Sequence, residues 1–142
     1  MRAVVCSRLG SHTDLEVQDV PVPPLEPGSV RIGMEAASLN FPDLLMVQGL
    51  YQFKAEPPFV PGAEGAGVVL EVADGVEGVA PGDRVMAVGL TGAFAEQWVV
   101  DAASVTKLPD GIGFTTGAAM MLTYGTAYHA LTQRAALARD ET

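Results

Sequence analysis

The feature that most restricts the fold of this chain is its punctuation. Sixteen glycines and ten prolines are spread over 142 residues and cut the sequence into short runs rich in Val, Ile and Ala. Proline has no N–H to give to a ladder or helix, and glycine accepts positive φ, so runs bounded by them close in tight turns. Short β-branched runs between such turns read as strands, which fall at 2–7, 15–20, 30–37, 67–72, 83–88, 93–100 and 105–107. Pro81-Gly82-Asp83 reads as a turn with Pro setting φ at its second position and Gly taking the third, feeding the strand after it. Asn40-Phe41-Pro42-Asp43 opens one short helix over 44–48, stopped by Gly49. After Pro109-Asp110-Gly111, Ala, Leu and Met recur at helical spacing and predict two closing helices, 115–122 and 126–138. Residues 138–142 read as the frayed end of the last one. With no repeat or linker, 1–142 is expected to be one mainly β domain with short helices, and its boundary is expected at the C-terminus itself.

Composition narrows the function classes. A chain that is 49% hydrophobic and 18% charged can bury a core and is not a disordered segment. The formal charge is −9 and the eight Lys and Arg residues are scattered, so the clustered cations that nucleic acid demands are absent. The longest apolar stretches run to about five residues, far below the roughly 20 that cross a bilayer. The N-terminus also lacks an apolar signal core. Neither a nucleic acid nor a membrane is expected as a partner, and a cytoplasmic location is expected.

The residues able to do chemistry are few. Cys6, in Ala3-Val4-Val5-Cys6, is the only cysteine and reads as a buried, inert thiol. A catalytic zinc needs three protein ligands, and Cys6, His12 and His129 lie apart with no ligand spacing, so no metal is expected. His12, in Ser11-His12-Thr13-Asp14, reads as part of a polar hairpin turn, and His129 as a helix residue without a site role. Gly62-Ala63-Glu64-Gly65-Ala66-Gly67 does not fit G-x-G-x-x-G. It also precedes a strand, whereas a phosphate loop follows one, so it reads as a tight elbow with close backbone approach. Glu64 among these small residues is expected to be partly buried, with Arg84 as its structural cation partner. Asp43 reads as a first-turn carboxylate favoured by the helix dipole. Phe41, Leu44, Tyr51 and Phe53 fit either an apolar pocket wall or the core.

Five strings in order carry a family resemblance: Ser38-Leu39-Asn40-Phe41-Pro42-Asp43, Gly49-Leu50-Tyr51, Pro61 through Val69, Gly82-Asp83-Arg84-Val85 and Gly92-Ala93-Phe94-Ala95-Glu96. Together they resemble the N-terminal half of zinc-independent quinone oxidoreductases of the medium-chain dehydrogenase/reductase superfamily. Thr123 through Leu131 is similar to the helix that crosses into that family's nucleotide-binding domain. The resemblance implies a GroES-like, partly open β-barrel ending in helices that lead toward a Rossmann domain not contained in residues 1–142. Where the zinc alcohol dehydrogenase branch carries a zinc cysteine and a zinc histidine, this chain has Asn40 and Ala63, which implies no zinc.

The implied activity is metal-free hydride transfer from NADPH to a quinone or enone held between two domains. By resemblance, Asn40 and Tyr51 are the catalytic candidates, and Asn40, Tyr51 and Thr126 the cofactor contacts. Phe41, Tyr51 and Phe53 are the expected substrate pocket, with the Tyr51 hydroxyl as donor to the substrate oxygen. Because the family's pyrophosphate loop lies beyond Thr142, this chain alone is expected to bind NADPH weakly, to be inactive, and to self-associate through an uncovered face. Two rivals stand beside this expectation: a 2-enoyl thioester reductase half, and a non-catalytic GroES-like binding or scaffold module.

Overall fold

The computed structural model describes residues 1–138 and 141. Seven strands form: β1 (Arg2–Val5), β2 (Glu16–Asp19), β3 (Ser29–Ala37), β4 (Glu64–Val72), β5 (Arg84–Val88), β6 (Gln97–Asp101) and β7 (Val105–Lys107). β1 and β2 make an antiparallel hairpin, and the other five make an antiparallel sheet in the order β6-β3-β4-β5-β7. Laid flat, that order would hold β6 and β7 about 19 Å apart at the usual strand spacing. The link between Asp101 and Val105 spans at most about 15 Å, so the sheet has to curl. No ladder joins β6 to β7, and the result is a mainly β, partly open barrel with short helices.

The inside of the curl is apolar. Val30, Ile32, Val69, Val85, Ala87, Ala93, Trp98 and Val100 form the buried cluster, alternating along their strands with outward residues as a half-buried pleat requires. Trp98 satisfies its indole N–H on the Thr91 carbonyl at 2.9 Å. The hairpin is fastened to the barrel where the Val4 N–H donates to the Phe94 carbonyl and the Cys6 N–H to the Phe59 carbonyl, both at 2.8 Å. Cys6 is buried there, and burial pushes its thiol above the usual range.

The expected strands all form, and the largest differences of extent are in β4 and β6. β4 begins at Glu64, three residues before the expected start, so Glu64, Gly65 and Ala66 are strand residues too and the elbow is confined to the turn at Gly62, φ +100°. Glycine is needed at 67 because β3 passes so close that a Cβ would be driven into the Gly33 carbonyl oxygen. β6 begins only at Gln97: after a second positive-φ glycine, Gly92, the Ala93 and Phe94 N–H groups bond to the Gly62 and Pro61 carbonyls, and the Glu96 N–H to the Arg2 carbonyl.

The short helix forms as α1 (Phe41–Val47), with Pro42 in its first turn and Gly49 in the left-handed region just past its end. The two closing helices are corrected to one nearly continuous helical run. It comprises α2 (Phe114–Ala118), a π-helical stretch Met120–Tyr124, α3 (Gly125–Tyr128) and a second π stretch His129–Arg134. Gly125 stays helical at φ −60° and breaks nothing. Of the expected frayed end at 138–142, Arg139, Asp140 and Thr142 lie outside the described residues.

Candidate active-site cleft

One cleft of about 370 Å³ opens at the N-terminus of α1, lined by apolar Leu15, Leu39, Phe41, Leu44, Val47, Pro61 and Phe94 and by three polar residues, His12, Asn40 and Asp43. Its rim is apolar as well, with Leu39 81% and Phe41 70% exposed. Concave apolar walls with a few convergent polar groups are the usual make-up of a small-molecule site. A second, similarly sized depression of about 410 Å³ runs along the sheet between Arg2, Met34 and Glu96. Two of its charged residues pair with each other: the Glu96 carboxylate takes the Arg2 guanidinium and the Arg2 N–H, each at 2.8 Å.

Behind the cleft lies a carboxylate with no access to water. Glu64, first residue of β4, is 0% exposed. Its Oε2 accepts from Ser38 Oγ at 2.6 Å and, at 3.4 Å, from Asn40 Nδ2. Its Oε1 accepts from the Leu122 N–H at 2.8 Å. Asn40 Nδ2 also donates to Ser38 Oγ at 2.8 Å. The expected Glu64–Arg84 pair is therefore corrected: Arg84 donates to the Ile112 carbonyl and stacks over Phe114, 4.7 Å from the ring centre. Three donors, one of them the start of a helical stretch, offset the cost that an ion pair was expected to offset. The Leu122 N–H is available because Ala119 leaves α2 at φ −106° and the π stretch starts a new turn.

Asp43 is the second buried carboxylate, 3% exposed. Its Oδ2 accepts from the Asn40 N–H at 2.8 Å, which closes the first turn of α1. Burial pushes its carboxyl above the usual range; backbone N–H bonds from Asn40, Ala63 and Gly62 oppose this, and the nearby Glu64 charge adds to it. The first-turn placement was expected, but the near-complete burial was not.

The expected site residues are distributed as follows. Asn40 and Phe41 line the cleft. Tyr51 is half-buried beyond the other end of α1, its N–H donating to Leu45 carbonyl at 3.2 Å, and Phe53 follows it exposed. Neither is among the cleft-lining residues. Thr126 is exposed on α3, one turn beyond the Leu122 N–H that Glu64 holds. His129 pairs with Gln133 on the helix surface at 2.7 Å. Among the described residues, no three His, Cys, Asp or Glu side chains converge as a metal site would require.

Sequence reasoning missed Ser38 and the cleft position of His12. The hydroxyl two residues before Asn40 was a usable signal, since one face of an extended chain holds both. His12 gave none, because the segment that carries it is placed at the cleft by long-range contacts such as the Gly10 N–H on the Val47 carbonyl at 3.0 Å.

Fold and cleft together define a GroES-like domain. Residues 26–110, more than half of the chain, match the alcohol dehydrogenase GroES-like domain, and the chain belongs to that family. It is 40% identical to a quinone oxidoreductase-like protein 2 homolog from Nematostella vectensis, over 99% of this chain and 39% of that protein. Among solved structures it matches a human synaptic vesicle membrane protein VAT-1 homolog-like protein at TM-score 0.93 and 36% identity, covering 96% of this chain and 44% of that one. The quinone oxidoreductase from Thermus thermophilus, solved also with NADPH, matches at TM-score 0.82 and 38% identity, covering 96% and 42%. The chain thus spans about two fifths of the length of such relatives. Among the described residues, no helix is long and apolar enough to cross a membrane.

Proposed function

We propose that residues 1–142 are the substrate-side domain of a cytoplasmic NADPH-dependent quinone or enone oxidoreductase that works without metal. The observation that carries this reading is the cleft itself: apolar walls suited to a flat ring, one amide at its edge, and a buried carboxylate network instead of metal ligands. The nicotinamide end of NADPH suits those walls. The pyrophosphate does not, and in this reading its contacts belong to the Rossmann domain.

NADPH, when bound, supplies a hydride. What this chain's residues supply is position and exclusion of water. Asn40 and Thr126 hold the nicotinamide end, Phe41 and Phe53 are the aromatic side chains set beside the substrate, and the Tyr51 hydroxyl donates to the substrate oxygen as negative charge develops there. A donor so placed lowers a barrier by about 3 kcal/mol. With most cofactor contacts assigned to a Rossmann domain, residues 1–142 alone bind NADPH weakly and turn nothing over.

The test is the full-length protein assayed with NADPH against 1,4-naphthoquinone and against crotonyl-CoA. Turnover of naphthoquinone supports the reading, and preference for crotonyl-CoA replaces it with a 2-enoyl thioester reductase. Turnover of neither leaves a non-catalytic binding module.

A further inference from the structure

The hydrogen bonds around Asn40 determine which end of its amide a ligand can meet. Ser38 Oγ has a single proton, and it goes to Glu64 Oε2 at 2.6 Å. Toward Asn40, 2.8 Å away, that oxygen can only accept, so the amide must present Nδ2 to it. The remaining Nδ2 proton faces Glu64 Oε2 at 3.4 Å. Turning the amide over would set Oδ1 against two acceptors. Glu64 cannot swing away to relieve that clash, because it is wholly buried and its other oxygen is held by the Leu122 N–H.

We infer that Ser38 and Glu64 are positioning residues for Asn40, which engage the amide N–H bonds so that Asn40 meets a cleft ligand only through Oδ1, as a hydrogen-bond acceptor. The ligand group seated there is accordingly a donor: the carboxamide N–H of a dihydronicotinamide, or the hydroxyl of a reduced quinone. Asn40 does not polarise the quinone carbonyl, and that task is left to another residue. This rests on the proposed reading that Asn40 borders the bound reactants, and it changes the role of Asn40 within that reading.

Ser38→Thr and Ser38→Val differ from each other in little but the hydroxyl, and Ser38 is only half-buried, so both side chains fit. In the full-length protein, Ser38→Thr retains parental kinetics. Ser38→Val raises either the KM for NADPH or the inhibition constant of the hydroquinone by about tenfold, with kcat within about twofold, the effect of one lost hydrogen bond. A rise for NADPH assigns the carboxamide as donor, and a rise for the hydroquinone assigns the product hydroxyl. Protection of the Asn40 side-chain NH₂ from hydrogen exchange, read by ¹⁵N NMR without any turnover, is retained in Ser38→Thr and lost in Ser38→Val. Identical behaviour of the two variants in both measurements overturns the inference. If no quinone is reduced at all, the functional reading fails alone, and the exchange measurement still decides the orientation of Asn40.

Discussion

Asp43 sits in the first turn of α1 almost wholly out of water, and its raised carboxyl makes a definite demand on stability. A native state that holds a proton more tightly than the unfolded chain is most stable while that proton is bound, and loses stability as pH rises. The window opens near the ordinary value of 3.8 and closes at the raised native one. Asp83 and Glu96 run the other way: Lys107 lowers the first, and the Arg2 N–H and guanidinium lower the second, so their contribution is lost on acidification. Comparing the parent with Asp43→Asn cancels both. Urea unfolding at about pH 4 and about pH 7 should show the parent losing stability relative to Asp43→Asn between the two; a constant difference would refute it.

Glu64→Gln leaves an acceptor for Ser38 or for Leu122 but not for both, and should cost about 1–3 kcal/mol of folding free energy. A urea midpoint unchanged by this substitution would show that the buried network does not hold the helix to the cleft. That Glu64 is buried was legible in its small neighbours. Its partners were not, because they come from residues 26 and 58 positions away and depend on the register of β3 with β4 and on a break in the helix at Ala119.

Between elements, the tightest constraint is the approach of β4 to β3. Gly67→Ala places a methyl against the Gly33 carbonyl, in the middle of the longest ladder of the sheet, and should cost about 3 kcal/mol through lost register and strain. Gly111→Ala, at φ +82° in open space, should cost only about 1 kcal/mol for the left-handed backbone. Denaturant midpoints of the two variants compare them directly, and equal losses would contradict the close approach. Glycine reads alike in a sequence whether it turns the chain or admits a neighbour, which is why the start of β4 was expected three residues late. β7 and the turn at Gly82, where proline and positive φ act locally, were fully readable. The closing helices were misdivided for a related reason: Ala119 breaks α2 through its backbone angles, and no breaker residue marks the place.

Over the whole molecule, the helical run leaves Met120, Tyr124, Tyr128 and Leu131 exposed on a chain of formal charge −9. Apolar patches of that kind favour association. Residues 1–142 by themselves should elute above monomer size and bind a hydrophobic dye, and the double change Tyr124→Lys, Tyr128→Lys should weaken both; a dye-silent monomer would count against it. The fold class was legible throughout, because Gly and Pro punctuation acts over a few residues. The cleft was legible at Asn40, Phe41 and Leu44, while His12, Pro61 and Phe94 reach it from segments that only the folded barrel brings together.

The most direct measurement is kcat/KM of the full-length protein for 1,4-naphthoquinone with NADPH, before and after exhaustive treatment with a zinc chelator. The proposed metal-free mechanism predicts the same value in both states. Loss of activity on chelation, restored by zinc, would contradict it.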